Sequence, residues 1–249
     1  MTSVGSGYDL SVSTYSPDGK IFQVDYANKA VENSGTCIAI KTKDGVVVGV
    51  EKLIPSKMLC HGSNRRIHAV DLHIGVGISG FLADARQLVL RARAEAKSYK
   101  QIYGQPIPVK VLSQRVAALC HVYTLYGSVR AFGCSIIISG IDQEGPQLYQ
   151  VEPSGSCIGY FGASMGKGKQ AAKNELEKIK FNEMTTHEAI KEIAKIIYSV
   201  HDEVKDKDFQ LELGWISTTE TKGQFNMVPK DLQSDAESYA KNALEEANM

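Results

Sequence analysis

The sequence predicts an α+β domain of antiparallel sheets with helices segregated on their faces. Three observations lead there. Apolar runs of strand length recur with turn residues between them, most clearly around Lys43-Asp44-Gly45, where Asp-Gly between two apolar runs is a hairpin signal. Apolar stripes at helical spacing come in adjacent pairs. Strands and helices do not alternate one for one, as a parallel βαβ sheet would need. The order is strands, helix pair, strands, helix pair, strands.

Residues 1–15 are rich in Ser and Gly and poor in core-forming side chains, which predicts a mobile tail. Ser16-Pro17-Asp18-Gly19 reads as a turn. Beyond it Ile21, Val24, Ala27, Ala30 and Val31 recur at helical spacing and predict a short helix over about 20–32. Strands are expected over 36–41, 46–51 and 74–79. One helical stripe follows through Phe81, Ala85, Leu88, Ala92, Ala96 and Tyr99. A second runs through Leu112, Val116, Leu119 and Tyr123, after the break at Pro106 and Pro108. Strands return over 134–139, 147–152 and 157–161. A helix is expected over 167–180, and another opens at Thr185 with Glu188 at capping-box spacing. Its apolar face is Ile190, Ile193, Ile197, Val200 and Val204. Strands over 211–217 and 224–228 and a C-terminal surface helix over 230–249 complete the order. No linker or tandem repeat divides the 249 residues, so one domain spans 1–249.

Composition narrows the function classes. Lys plus Arg number 28 and Asp plus Glu 28, so the excess positive charge of a nucleic-acid binder is missing. No apolar run approaches the ~20 residues of a membrane span, and no signal peptide is visible at residues 1–10. The five cysteines (37, 60, 120, 134 and 157) are odd in number and none has CxxC spacing. Reduced thiols in a cytosolic or nuclear setting, without disulfides or zinc, are therefore expected.

Gly162-Ala163-Ser164-Met165-Gly166 fits G-x-S-x-G between an expected strand and an expected helix, with His187, His201, Asp202, Asp206 and Asp208 downstream. That is the local context of a nucleophile elbow. The hydrolase fold that uses it is mainly parallel, whereas the pattern here is one of hairpins. The alternatives are a serine hydrolase using Ser164 and a Gly-rich turn, and the hairpins favour the turn. Gly166-Lys167-Gly168 lacks the spacing and the Ser or Thr of a P-loop. His68 and His73 have no ligand pattern around them, and Cys120 and His121 are adjacent on a helix, where neighbours point apart. The mixed charges of 201–209 read as a solvated helix end. No metal and no cofactor is expected.

Tyr8-Asp9, followed by Ser16-Pro17-Asp18-Gly19-Lys20-Ile21-Phe22-Gln23-Val24-Asp25-Tyr26-Ala27, resembles the N-terminal signature of 20S proteasome alpha subunits. Further matches are Gly49-Val50-Glu51-Lys52, the run from Ser79 to Arg86, Tyr123-Thr124-Leu125-Tyr126, and residues 195–207. Phe132-Gly133-Cys134, Gln170-Ala171-Ala172-Lys173 and residues 201–207 point to one subtype. The resemblance implies a four-layer αββα sandwich of the N-terminal nucleophile hydrolase type, with an added N-terminal helix. It implies a place among six other alpha subunits in a ring, stacked on beta-ring subunits that hold the proteolytic sites. The helix pair after Phe81 would meet the beta ring, and the first helix would meet neighbouring alphas.

No catalytic residue is implied for this chain. The family's active members use an N-terminal Thr whose own amine is the base. By the alignment of Ala39-Ile40-Lys41, Gly35 takes that position and Thr36 falls one later, mid-chain and without a free amine. The alternative is cleavage that frees Thr36. The resemblance further implies that residues 1–15 form part of a substrate-entry gate, with Tyr8, Asp9, Pro17 and Tyr26 holding its open state. It implies a pocket for the C-terminal tails of regulatory-particle ATPases or other activators. There the family's Lys is replaced by Arg66, beside Gly80. Arg keeps the charge but changes shape and reach. The cytoplasm and nucleus are the expected location.

Overall fold

The computed structural model describes residues 7–60, 62–201 and 208–247. The first six residues of the tail, Val204 of the expected helix face, and Asp202, Asp206 and most of the 201–207 run lie outside them. The elements in chain order are α1 (Phe22–Glu32), β1 (Cys37–Lys41), β2 (Gly45–Leu53), β3 (Ile67–Asp71), β4 (Ile74–Gly80), α2 (Leu82–Tyr103), α3 (Val109–Val122), β5 (Cys134–Asp142), β6 (Gly145–Val151), β7 (Cys157–Gly159), β8 (Gly162–Met165), α4 (Lys169–Leu176), α5 (Thr186–Val200), β9 (Phe209–Ser217), β10 (Asn226–Met227) and α6 (Lys230–Ala247).

They build two five-stranded sheets, in the orders β10-β9-β2-β1-β8 and β3-β4-β5-β6-β7. Every described pairing is antiparallel. Side-chain alternation assigns the faces. In β1, Ile38 and Ile40 point to α4, α5 and α6, while Cys37 and Ala39 point to the other sheet. In β4, Ile74, Val76 and Ile78 pack under α2 and α3. The result is the expected αββα sandwich: α2 and α3, sheet, sheet, then α5 flanked by α4 and α6. The second outer layer thus holds three helices rather than a pair, because α6 buries Ala236 and Ala240 against α5.

Glycines let the two sheets approach. A Cβ on Gly75 would lie 2.1 Å from the Phe225 ring, which is itself buried between the sheets. The α5 start carries the expected capping box. The Thr185 hydroxyl accepts from Glu188 N, and the Glu188 carboxylate accepts from Thr185 N.

The structure departs from the expected order in four places. The expected strand 157–161 is two strands. β7 ends at Gly159, and β8 begins at Gly162 in the opposite sheet, paired with β1. The Gly162–Met165 run is therefore a strand and not a turn. β3 was not expected, since His68 and Asp71 interrupt its apolar pattern. α4 is shorter than 167–180, because its first turn follows the left-handed Gly166. Phe81 is the N-cap of α2 and exposed, outside the stripe it was expected to join.

Candidate functional site

A cleft of about 520 Å³ opens between α1 and the ends of β2 and β4, lined in part by Tyr26, Gly35, Glu51, Arg66, Gly80 and Phe81. The structure brings Arg66 and Gly80 together. The Arg66 Nη1 donates to the Gly80 carbonyl at 2.6 Å. The Arg66 backbone N–H donates to Glu212 Oε2 at 2.9 Å. Burial pushes the Arg66 guanidinium down from its ordinary value, against the pull of Glu212, and burial raises the Glu212 carboxyl. Arg stays cationic throughout the physiological range. The cleft therefore presents a half-buried, tethered positive charge beside Lys29, and that arrangement suits a carboxylate. A larger concavity of about 860 Å³ lies among α4, α5 and α6. Its lysines face neighbouring glutamates (Lys178 with Glu175 at 2.7 Å, Lys195 with Glu192 at 3.9 Å), so it offers a ligand little net charge.

The N-terminal segment reaches the same cleft. Tyr26, on α1, lines it and donates to Asp9 Oδ2 at 3.4 Å. Gln23 Nε2 donates to the Asp9 carbonyl oxygen. Desolvation and then the Asp9 charge raise the Tyr26 hydroxyl pKa, so it stays a neutral donor. Tyr8 is 42% exposed, next to Asp9, and Pro17 follows Ser16 in a turn closed by Gly19 N donating to Ser16 O. Of the four residues expected to act together, Asp9 and Tyr26 are joined by a described hydrogen bond, while Tyr8 precedes Asp9 and Pro17 lies between the two in sequence. The tail is fixed at Val12, which is 2% exposed and packs with Ala27, Ala131 and Ile21.

Where an N-terminal nucleophile would sit, the chain runs on without a break through Ser34, Gly35 and Thr36. Thr36 is buried. Its amide N–H donates to Glu51 Oε2 at 2.9 Å, and its hydroxyl accepts from Gly168 N at 3.1 Å. The other Glu51 oxygen meets His201 Nδ1 at 2.6 Å, and His201 lies against the Phe209 ring. An amide nitrogen has no basic lone pair, so Thr36 as it stands in this chain lacks the base that the chemistry needs.

Ser164 is no nucleophile elbow either. It lies within β8, opposite Ile38, and its hydroxyl donates to the Lys169 carbonyl at 3.0 Å. His187 packs edge-on against Trp215 and faces Glu220, while Asp208 is held through its carbonyl by Ile54 N. The thiols of Cys37, Cys120 and Cys134 are pushed up by burial (Cys120 to about 12) and serve as packing groups.

Two side-chain contacts were missed by reading the sequence. One is Glu51–His201, across 150 residues. The other joins Asp84 to Arg130. Arg130 Nη1 and Nη2 reach Asp84 Oδ2 and Oδ1 at 2.5 and 2.8 Å, and Gly133 N donates to Oδ2 at 2.9 Å. The one signal was an acid in each of two otherwise apolar runs, Val46–Glu51 and Leu82–Ala85. Arg130 first, then the Gly133 amide, hold the Asp84 carboxyl below the usual range. A carboxylate whose folded-state pKa is depressed stabilises the fold above its unfolded pKa, near 4, and that contribution is lost as pH falls through the folded value. Asp84→Asn is therefore expected to lower the melting temperature at pH 7. The difference from the parent should shrink steadily in melts taken from pH 5 towards pH 2. A difference independent of pH would show that the charge of Asp84 is not what matters.

The family model "Proteasome subunit" matches residues 31–216, and the N-terminal signature of A-type proteasome subunits matches residues 8–30. The chain is 76% identical over 249 residues to "Proteasome subunit alpha type-3" of Dictyostelium discoideum, covering 100% of both chains. It is 57% identical over 246 residues to the Arabidopsis thaliana protein of the same name, covering 99% of this chain and 98% of that one. It is also 50% identical over 247 residues to "Probable proteasome subunit alpha type-7" of Saccharomyces cerevisiae, covering 98% of this chain and 86% of the relative. The sandwich, the signature helix beside the cleft and these full-length likenesses agree, and the chain belongs to the proteasome subunit family, among its alpha-type members.

Proposed function

We propose that the chain works as a docking and gating subunit of the particle it helps to build. It is a non-catalytic, structural subunit of the alpha ring of the 20S proteasome core, of the alpha type-3 kind, and assembles with other proteasome subunits. Within that role our reading is finer. Its ring partners are the six other alpha subunits and, through α2 and α3, the subunits of the beta ring. Its cleft receives the terminal carboxylate of an activator's C-terminal tail at Arg66, with Gly80 holding the guanidinium. Its N-terminal segment helps close the substrate entrance, and Tyr8, Asp9, Pro17 and Tyr26 support the open state. It works in ubiquitin-dependent degradation, in the cytoplasm and nucleus. The unpaired cysteines favour such a reducing setting.

The observation that carries this reading is that one residue, Tyr26, both lines the Arg66 cleft and bonds to Asp9 of the tail. The test uses assembled particles. Arg66→Glu places a carboxylate where a carboxylate must bind, and should weaken binding of a peptide with a free C-terminus at this pocket at least tenfold. The same peptide amidated should already bind poorly to the parent. Deleting residues 1–11 should raise basal peptide hydrolysis of latent particles. Unchanged peptide binding in Arg66→Glu removes the cleft from activator docking, and unchanged basal hydrolysis removes the tail from the gate.

A further inference from the structure

The rim of the cleft and the seat of the tail share a loop. Gly80 and Phe81 form the rim. The Phe81 N–H donates to the Gly133 carbonyl at 2.8 Å. The two segments interlock closely: a Cβ on Gly80 would stand 2.3 Å from the Gly133 oxygen, and one on Gly133 would stand 2.5 Å from the Phe81 ring. Gly133 N in turn donates to Asp84, on the first turn of α2, and Asp84 takes the Arg130 guanidinium in a two-point grip. Arg130 also donates to the carbonyl of Ala131 at 3.1 Å. Ala131 is the residue against which Val12 is buried. Ser11 of the tail also lies over this loop, its hydroxyl 3.2 Å from where a Cβ on Gly127 would be.

We propose that Asp84 and Arg130 form a positioning clamp that makes the cleft rim and the Val12 socket one rigid body. A displacement of Gly80 or Phe81 by a ligand in the cleft is then delivered to the tail at Val12, alongside the Tyr26–Asp9 bond. The proposal rests on the reading of the cleft as an activator site. Its physical basis is a contiguous set of hydrogen bonds in which the bidentate pair fixes the loop in angle as well as distance. The pair contributes no side chain to the cleft lining. It is therefore expected to change the response of the tail without changing affinity for the ligand.

Arg130→Ala is the test, because the Arg130 side chain is 65% exposed and its removal leaves no cavity in the core. Amide hydrogen exchange of residues 8–16 is followed in the assembled particle, with and without a synthetic peptide ending in a free carboxylate. In the parent, the peptide should change that exchange. In Arg130→Ala, exchange at residues 12–15 without peptide should rise several-fold, and the peptide-induced change should shrink to less than half. The peptide Kd should stay within about twofold of the parent. Arg130→Lys, which keeps the charge but not the fork, should fall between the two. Val12→Ala is the second variant, and it should mimic Arg130→Ala while leaving the Asp84 grip intact. If residues 12–15 exchange at the parent rate in Arg130→Ala, the clamp is overturned. If the parent itself fails to bind the peptide, the activator reading falls, and the exchange measured without peptide still decides the clamp.

Discussion

Gly35→Thr is expected to destabilise the fold strongly and to give no hydrolytic activity. The substitution places a hydroxyl side chain at the position that the sequence resemblance matches to the nucleophile of the family's active members. The structure leaves it no room. A Cβ at Gly35 would lie 2.0 Å from the Glu51 carbonyl oxygen and 3.2 Å from its carbon. Both are backbone atoms of a strand, and Glu51 N is bonded to the Thr36 carbonyl at 2.8 Å, so neither side can rotate away as a flexible side chain would. Overpacking costs about 1–3 kcal/mol and occasionally more, and a clash with backbone places this one at the upper end, where about 3 kcal/mol lowers the melting temperature of a domain this size by about 6–12 °C. A thermal melt of the purified variant checks this. A parent-like melt would mean that the strands spread to admit a side chain, although a hydroxyl there, mid-chain, would still lack the free amine that the chemistry needs.

Glu51→Ala is expected to cost a similar amount for a different reason. Glu51 is 4% exposed and serves two partners, the Thr36 amide at 2.9 Å and His201 Nδ1 at 2.6 Å. Removing it leaves both groups without this acceptor, and Thr36 and the His201 side chain are almost fully buried. Each unsatisfied buried group costs about 1–3 kcal/mol, so the sum is about 2–6 kcal/mol. Glu51→Gln keeps the shape and an accepting oxygen, and should lose less than half as much. His201→Ala should be strongly non-additive with Glu51→Ala in a double-mutant cycle, because the two share one bond. Additivity in chemical denaturation would show that the pair contributes little beyond the separate burial of its members. In this chain a carboxylate, an amide and an imidazole satisfy one another there.

Much of the fold was legible because its signals are local. The apolar runs of β1 and β2, the Asp-Gly turn between them, the stripes of α2 and α3 and the Thr185–Glu188 box each depend on residues within a few positions of one another. β3 was not legible, because its side chains are mostly half-exposed at a sheet edge and include His68 and Asp71. β8 was not, because Gly-Ala-Ser-Met has little intrinsic preference for a strand. It extends because β1 offers an unpaired edge opposite it. In the same way, Ser164 had the right neighbours in sequence for a nucleophile and the wrong ones in space.

The candidate site divides along the same line. The signature residues around Tyr8, Asp9, Pro17 and Tyr26 were visible as a string, and Arg66 and Gly80 as aligned positions. That Tyr26 and Arg66 face a common cleft, that Val12 pins the tail onto Ala131, and that Asp84 grips Arg130 are facts of chain crossing. By itself the sequence determined most of the element types and the family, since each is written in contiguous residues. The tertiary structure decided which of those residues meet. Hydrogen bonds between Asp84 and Arg130, 46 residues apart, or Glu51 and His201, 150 apart, form only when two sheets and their helices have packed around them, and packing is a property of the whole chain.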